Sequence, residues 1–275
     1  TTVTARDITF VNCGGNQFGG ATTVDINGAL FINAGMRANG GSVKNVVFSD
    51  YTANGGSALA LYPTSDVLVE NVKFTHATYA NNRAIYLATA TEDINVTINN
   101  VEVVNWNTTW NDGPVFRFEG ASTTANVVIN NIYIDGVASN NVVMQMNNPK
   151  YPVEINNLNA KNSSGWLMNA PANKVTINNA TLENIGALSV NTNVTLDGHF
   201  EVERIEDGRT YVTGTPNLGD NLTGFVSFRN GQNGGTSIIA YASSAEKAAE
   251  YAAIVEQKNV SASHGGSNIF AVYAE

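Results

Sequence analysis

The chain has 275 residues, 43% of them apolar and only 13% charged, with a formal net charge of −9. Such a length and apolar content can bury a substantial core. The acidic balance, with 14 Lys and Arg spread along the chain, argues against nucleic acid and anionic membrane as partners. A single cysteine, Cys13, excludes an intrachain disulfide, and no apolar run is long enough for membrane insertion as a helix. With three scattered histidines and one cysteine, neither a metal nor another cofactor is expected.

Strand-like sequence begins almost at Thr1, with "ARDITFVN", "TTVDINGALFIN" and "VKNVVFSD". From Val67 the pattern becomes a written repeat: "VLVENVKFTHA", "VTINNVEVVNW", "VVINNIYIDGV", "VEINNLNAKNS" and "VTINNATLENI". Taking one Asn per repeat as a marker gives Asn45, Asn71, Asn100, Asn131, Asn157 and Asn179, spaced 26, 29, 31, 26 and 22 residues apart. Those intervals fall in the range of stacked structural repeats. Each unit contains three short strand-like runs and no helical segment, which predicts a parallel β-helix with three strands per turn.

Alternation along each run sorts the side chains. After the marker, Val72 and Phe74 point inward around Lys73, and Val101 and Val103 around Glu102. In the third run the inward pairs are Leu59/Leu61, Ile85/Leu87, Phe116/Phe118, Met144/Met146 and Leu188/Val190. The outward positions Ala58, Ala84, Val115, Val143 and Ala187 are small and apolar, which suits a packed helix or a second subunit. The marker Asn is read as a scaffold, because Asn tolerates left-handed backbone and bonds its own turn, so aligned Asn residues make a ladder.

The repeat is followed through "VTLDGHFEV", giving a β-helix over 1–202 and an elaboration over 203–275. Residues 203–235 are turn-rich. "SSAEKAAEYAAIVEQK", 243–258, reads as a helix with a capping box from Ser243 to Glu246, and "SNIFAVYAE" closes the chain as a strand. The expected fold is therefore all-β, a solenoid with a C-terminal strand–helix–strand cap.

Three-strand rungs with Asn corners resemble the right-handed parallel β-helix superfamily of pectate lyases, polygalacturonases and pectinesterases, over roughly 1–202. "TVTARDITFVN" looks like the opening of the pectinesterase repeat region. The resemblance implies a right-handed coil and polysaccharide-related work. The catalytic motifs do not accompany it: the opening is followed by "CGGNQFGGATTVDING", while "DGHF" and "SHGG" lack the setting of the hydrolase motifs. Catalytic residues remain unassigned on this reading.

Candidate ligand contacts come from the long loops, where solenoids usually carry function. "NWNTTWNDG" offers Trp106, Trp110 and Asp112, and the preceding unit offers His76, Tyr79 and Arg83. Aromatic faces beside polar and charged edges suit a sugar ring. The expected function is an extracellular or cell-surface, adhesin-like solenoid that binds a polysaccharide or cell-surface glycan without catalysis, its signal peptide absent from this numbering. Two alternatives stand beside it. One is a polysaccharide lyase, hydrolase or esterase, which needs at least two carboxylates near an Arg or His. The other is a subunit that self-associates through its terminal strands into a fibre or surface layer.

Overall fold

The computed structural model describes residues 1–13, 16–52, 56–77, 83–108, 115–203, 212–214, 216–230, 235–242, 246, 249 and 269–273. Among them the protein is all-β and its strands join one largely parallel sheet. Equivalent strands of successive repeats pair with each other, so pairing runs from repeat to repeat in three columns.

The first column shows why this sequence folds this way. Ile26, Val43, Val69, Ile98, Ile129, Ile155, Ile177 and Leu196 are aligned partner to partner through eight repeats, and each is essentially without solvent exposure. A β-branched or long aliphatic side chain at this place meets its own kind above and below, so no repeat hides its apolar side alone. In the second column Phe10, Phe31, Phe48 and Phe74 stack face to face, with centroids 4.8, 4.9 and 5.0 Å apart. In the third, the inward pairs expected from alternation, from Leu59/Leu61 to Leu188/Val190, are all buried.

The first and second columns share continuous strands in the early repeats: Thr2–Val11, Thr23–Ile32, Gly41–Ser49, Val67–Ala77 and Asn95–Thr108. Each turns its corner on one residue of positive φ: Asp7, Gly28, Asn45, Asn71 and Asn100. From Asn126–Ile129 and Ile132–Asp135 onward the strand breaks at the corner instead. The marker amides form a ladder across this change. Nδ2 of Asn45, Asn71, Asn100, Asn131 and Asn157 each donates to the side-chain oxygen of an Asn one repeat earlier, at 2.8–3.1 Å. Asn179 departs from the run: its Nδ2 donates to the Asn156 carbonyl, and its Oδ1 accepts from the His199 backbone N–H. A second ladder runs beside the first, from Asn178 to Asn156 to Asn130 to Asn99.

A further corner is built the same way, with no single residue type to announce it. Asn12, Asn33, Asp50, His76, Asn105, Gly136, Asn162 and Asn184 follow the second-column strands in register, and all eight have positive φ. Asn, Asp and Gly are the residues that accept this conformation most cheaply.

The small outward column of the third run is covered by the chain itself. Ala58, Ala84, Val115 and Val143 are fully buried, so the helix or second subunit expected over them is not required. Residue 202 is not where parallel pairing stops: Val212–Gly214 pairs with 188–190, and Thr223–Asn230 with 199–200. Thr223–Asn230 then pairs antiparallel with Gly235–Ala242, which pairs parallel with Ile269–Tyr273. Of the expected helix over 243–258, Glu246 and Ala249 are helical and exposed; its remaining residues lie outside the described ones.

Candidate ligand pocket

The six residues singled out in sequence do not assemble into one described surface. Trp110, Asp112 and Tyr79 lie outside the described residues. Trp106 is completely buried, stacked 6.0 Å from Tyr51 and edge-on to Phe74 at 5.8 Å. It anchors its loop on the core and presents no face to a ligand, which corrects its reading as an exposed sugar-stacking residue. His76 occupies the second left-handed corner, and its Nδ1 meets the Thr75 hydroxyl at 2.8 Å. The position is one of eight equivalent corners, which accounts for the residue structurally.

Arg83 is the exception. It opens the strand Arg83–Ala88, between Ser57–Leu61 and Phe116–Gly120 in the third column. Register places Arg37, Ala60, Tyr86 and Arg117 side by side on the outer face of four successive repeats. Three of the four are long. Ala60 is not, and the space its missing side chain leaves is the floor of a hollow of about 260 Å³ lined by Ser57, Ala60, Tyr62, Arg83, Tyr86 and Arg117.

The walls of this hollow hold one another in place. The Arg37 guanidinium lies 4.2 Å over the Tyr62 ring while its Nε donates to Asn39. Tyr62 meets Tyr86 edge-to-face at 5.4 Å, and Arg83 sits 5.6 Å from the Tyr86 ring centre. The Tyr86 hydroxyl donates to Glu119 Oε2 at 2.6 Å, and Arg117 Nε donates to Glu119 Oε1 at 2.5 Å, with Nη2 of Arg117 also paired to that oxygen. Glu119 thereby orients two wall residues from adjacent repeats. Tyr151 ties the same strand from the next repeat by donating to the Glu119 backbone carbonyl.

The electrostatics are unusual for so acidic a chain. Two guanidinium groups, Arg83 and Arg117, line the hollow, a third, Arg37, lies behind the Tyr62 ring, and the nearby Glu119 carboxylate is engaged by Arg117 and Tyr86. Burial pushes the Arg83 guanidinium down from its usual range, and the like charge of Arg117 pushes it further. Burial, then the hydrogen bond to Glu119, raises the Tyr86 phenol to about 12, so it is a neutral donor at physiological pH. A bound anion would relieve the repulsion between Arg83 and Arg117, and the planar guanidinium fork suits carboxylate and sulfate.

Sequence reasoning missed Tyr62, Tyr86, Arg117 and Glu119 as a group. Their outward alternation in "RAIYL" and "PVFRFEG" is legible, but which of them stand side by side depends on repeat-to-repeat register. A second, open groove of about 650 Å³ is bordered by Asn100, Glu102, Asn131, Tyr133, Asn157 and Asn159. Three of those residues belong to the marker ladder, and Glu102 is paired with Lys73 at 2.8 Å. Among the described residues, no group of three or more His, Cys, Asp or Glu is placed to hold a metal ion.

Comparison with protein-family models, with curated proteins and with solved structures finds no match to this chain.

Proposed function

We propose that the protein is a right-handed parallel β-helix of the extracellular or cell-surface kind, adhesin-like, which binds an acidic glycan without catalysis. The carrying observation is the arginine–tyrosine hollow over Ala60. Tyr62 and Tyr86 supply ring faces and edges for the apolar side of a sugar, and Arg83 and Arg117 supply charged donors for a carboxylate or sulfate on it. At about 260 Å³ the hollow is smaller than the roughly 300–1,000 Å³ of sites that enclose a whole drug-sized ligand. It suits one unit of a longer chain, whose remaining units run along the surface. Three columns of parallel strands with left-handed Asn corners support the β-helix reading, and the low charge and Asn/Thr/Gly-rich composition support an exported one.

The test is a panel of immobilised neutral and acidic polysaccharides, with retention and released products recorded together. Retention on carboxylated or sulfated chains alone, without shortened or unsaturated sugars, is the expected result. Ala60→Leu, which fills the floor of the hollow, abolishes retention while leaving the melting temperature within a few degrees. Equal retention on neutral chains, or retention that survives Ala60→Leu, would sink the site. Released products would replace the binding reading with the enzymatic one.

A further inference from the structure

Period-two alternation would place Trp166 on the inner side of its strand, Leu158–Met168. It stands two residues before the fully buried Met168 and is aligned with Val142, which is buried as well. Yet the indole is 45% exposed, the largest exposed apolar side chain among the described residues. Register explains the reversal. Pairing of Leu158–Met168 with Ala180–Val190 shifts between Ser163 and Trp166 and again between Trp166 and Met168. Gly165, just before the indole, has φ of 84°. Gly186 on the next repeat approaches so closely that a Cβ there would lie 1.8 Å from the Gly165 carbonyl oxygen. The irregularity is a bulge, admitted by two glycines, and bulges re-aim a side chain. This one turns an aromatic ring to solvent and forgoes the burial that Val142 has.

We propose that Trp166 is a second contact for the glycan held in the arginine–tyrosine hollow, a flat platform on which a later ring of the same chain stacks. The inference rests on the reading of that hollow as an acidic-glycan site. It adds the direction and the minimum length of the ligand: an acidic oligosaccharide of several units lying across the strands, along the line on which the repeats stack.

Register selects this occupant. Ile85, Phe116, Met144 and Met168 are aligned through four successive repeats. Arg83 stands two places before the first of them and Trp166 two places before the last, so the two fall on one line across the strands. Three strand spacings, about 14 Å, separate them; residue 114, on the same line, lies outside the described residues. A single sugar ring cannot span that gap, whereas a chain anchored by its acid group at Arg83 reaches it with a later ring. Beside the line, Gln145 is aligned with Arg117 and half-buried. Its Oε1 has no hydrogen-bond partner among the described residues. Half a turn of that amide exchanges oxygen and nitrogen, so it can accept from or donate to a sugar hydroxyl passing over it. A protein partner would call for a broad apolar patch around the indole. The path to the hollow offers one ring, one amide and guanidinium groups instead, the mixture of flat and polar groups that suits a sugar.

The experiment titrates acidic oligosaccharides of increasing length, from monosaccharide to octasaccharide, into the wild-type chain and into Trp166→Ala, with tryptophan fluorescence read in parallel. Wild-type affinity is expected to rise once the ligand is long enough to reach from Arg83 to Trp166, with a fluorescence change that begins at the same length. Trp166→Ala should lose about five- to tenfold in affinity for the long chains. It should also lose the fluorescence change, yet bind the shortest fragments as wild type does. Trp166→Tyr, which keeps a ring, should recover part of the loss. Because the indole is exposed, both variants should melt within a few degrees of wild type. No gain with length in wild type, long chains bound equally by wild type and Trp166→Ala, or equal losses for short and long chains would each overturn the platform and leave the hollow standing. Failure of every length to bind, or binding that survives Ala60→Leu, would overturn the hollow and the platform with it.

Discussion

At position 76 a histidine does work that asparagine, aspartate or glycine does in the seven equivalent repeats. Left-handed backbone costs an ordinary L-residue about 1–2 kcal/mol, and Asn is among the side chains that reduce that cost by local bonding. His76→Asn is therefore expected to leave stability unchanged or raise it slightly, whereas His76→Val should lower it by at least that amount, as read from denaturant midpoints. The marker corner makes a sharper comparison. Asn100 has φ of 53° while Asn131 is not among the positive-φ residues, yet both sit in the same ladder. Asn100→Ala should cost about 1–2 kcal/mol more than Asn131→Ala; equal losses would mean that the ladder, and not the backbone, dominates. The first corner was legible because its Asn recurs beside a second Asn. The other was not, because one backbone conformation is met there by four residue types, and a search for a repeated letter passes over it.

Strands and loops are held by contacts that reach one repeat along. Phe48 has a ring on either face and no exposure, so Phe48→Ala should cost about 3–5 kcal/mol, with a fall in midpoint and no change in slope on denaturant unfolding. Glu92 fastens a loop in the same manner. Its Oε2 accepts from the Thr124 hydroxyl and backbone N–H, the Thr123 N–H and the Ser122 hydroxyl, at 2.8–2.9 Å. The Thr124 hydroxyl leads in holding its carboxyl down to about 2. A carboxylate whose pKa is depressed on folding contributes stability above its unfolded value, near 4.5, and loses that contribution as pH falls towards 2. Glu92→Gln should thus melt below wild type at pH 7, with the gap closing over that acid window; a gap that stays constant to pH 2 would remove the ionised carboxylate from the explanation. Trp106 marks where reading single repeats ended. Its own segment, "NWNTTWNDG", suggests an exposed loop aromatic, and only Phe74 and Tyr51, from earlier repeats, make it a core residue.

Across the molecule, the all-β parallel stacking was legible and the pocket was not, for one physical reason. Period-two alternation and a recurring marker specify parallel stacking without any knowledge of exact register, so the buried columns follow from sequence. A surface site on stacked strands is composed of residues far apart in sequence and adjacent only through register. Arg83 was visible as a loop-edge cation, but its partners Tyr86, Arg117 and Glu119 became a site only when Ala60 was found aligned between the long side chains. The same alignment gives an acidic protein a basic hollow among its described residues, in which a bound anion would exchange repulsion between Arg83 and Arg117 for attraction.

The most direct measurement is an equilibrium titration of an acidic oligosaccharide into wild type and Arg83→Gln/Arg117→Gln, at low and at physiological ionic strength. Charged hydrogen bonds of about 1.5–3 kcal/mol each predict a loss of at least about tenfold in affinity for the double variant. They also predict a salt dependence in wild type that the variant largely lacks. Equal affinity in the two proteins, or binding of a neutral oligosaccharide that matches the acidic one, would contradict the account.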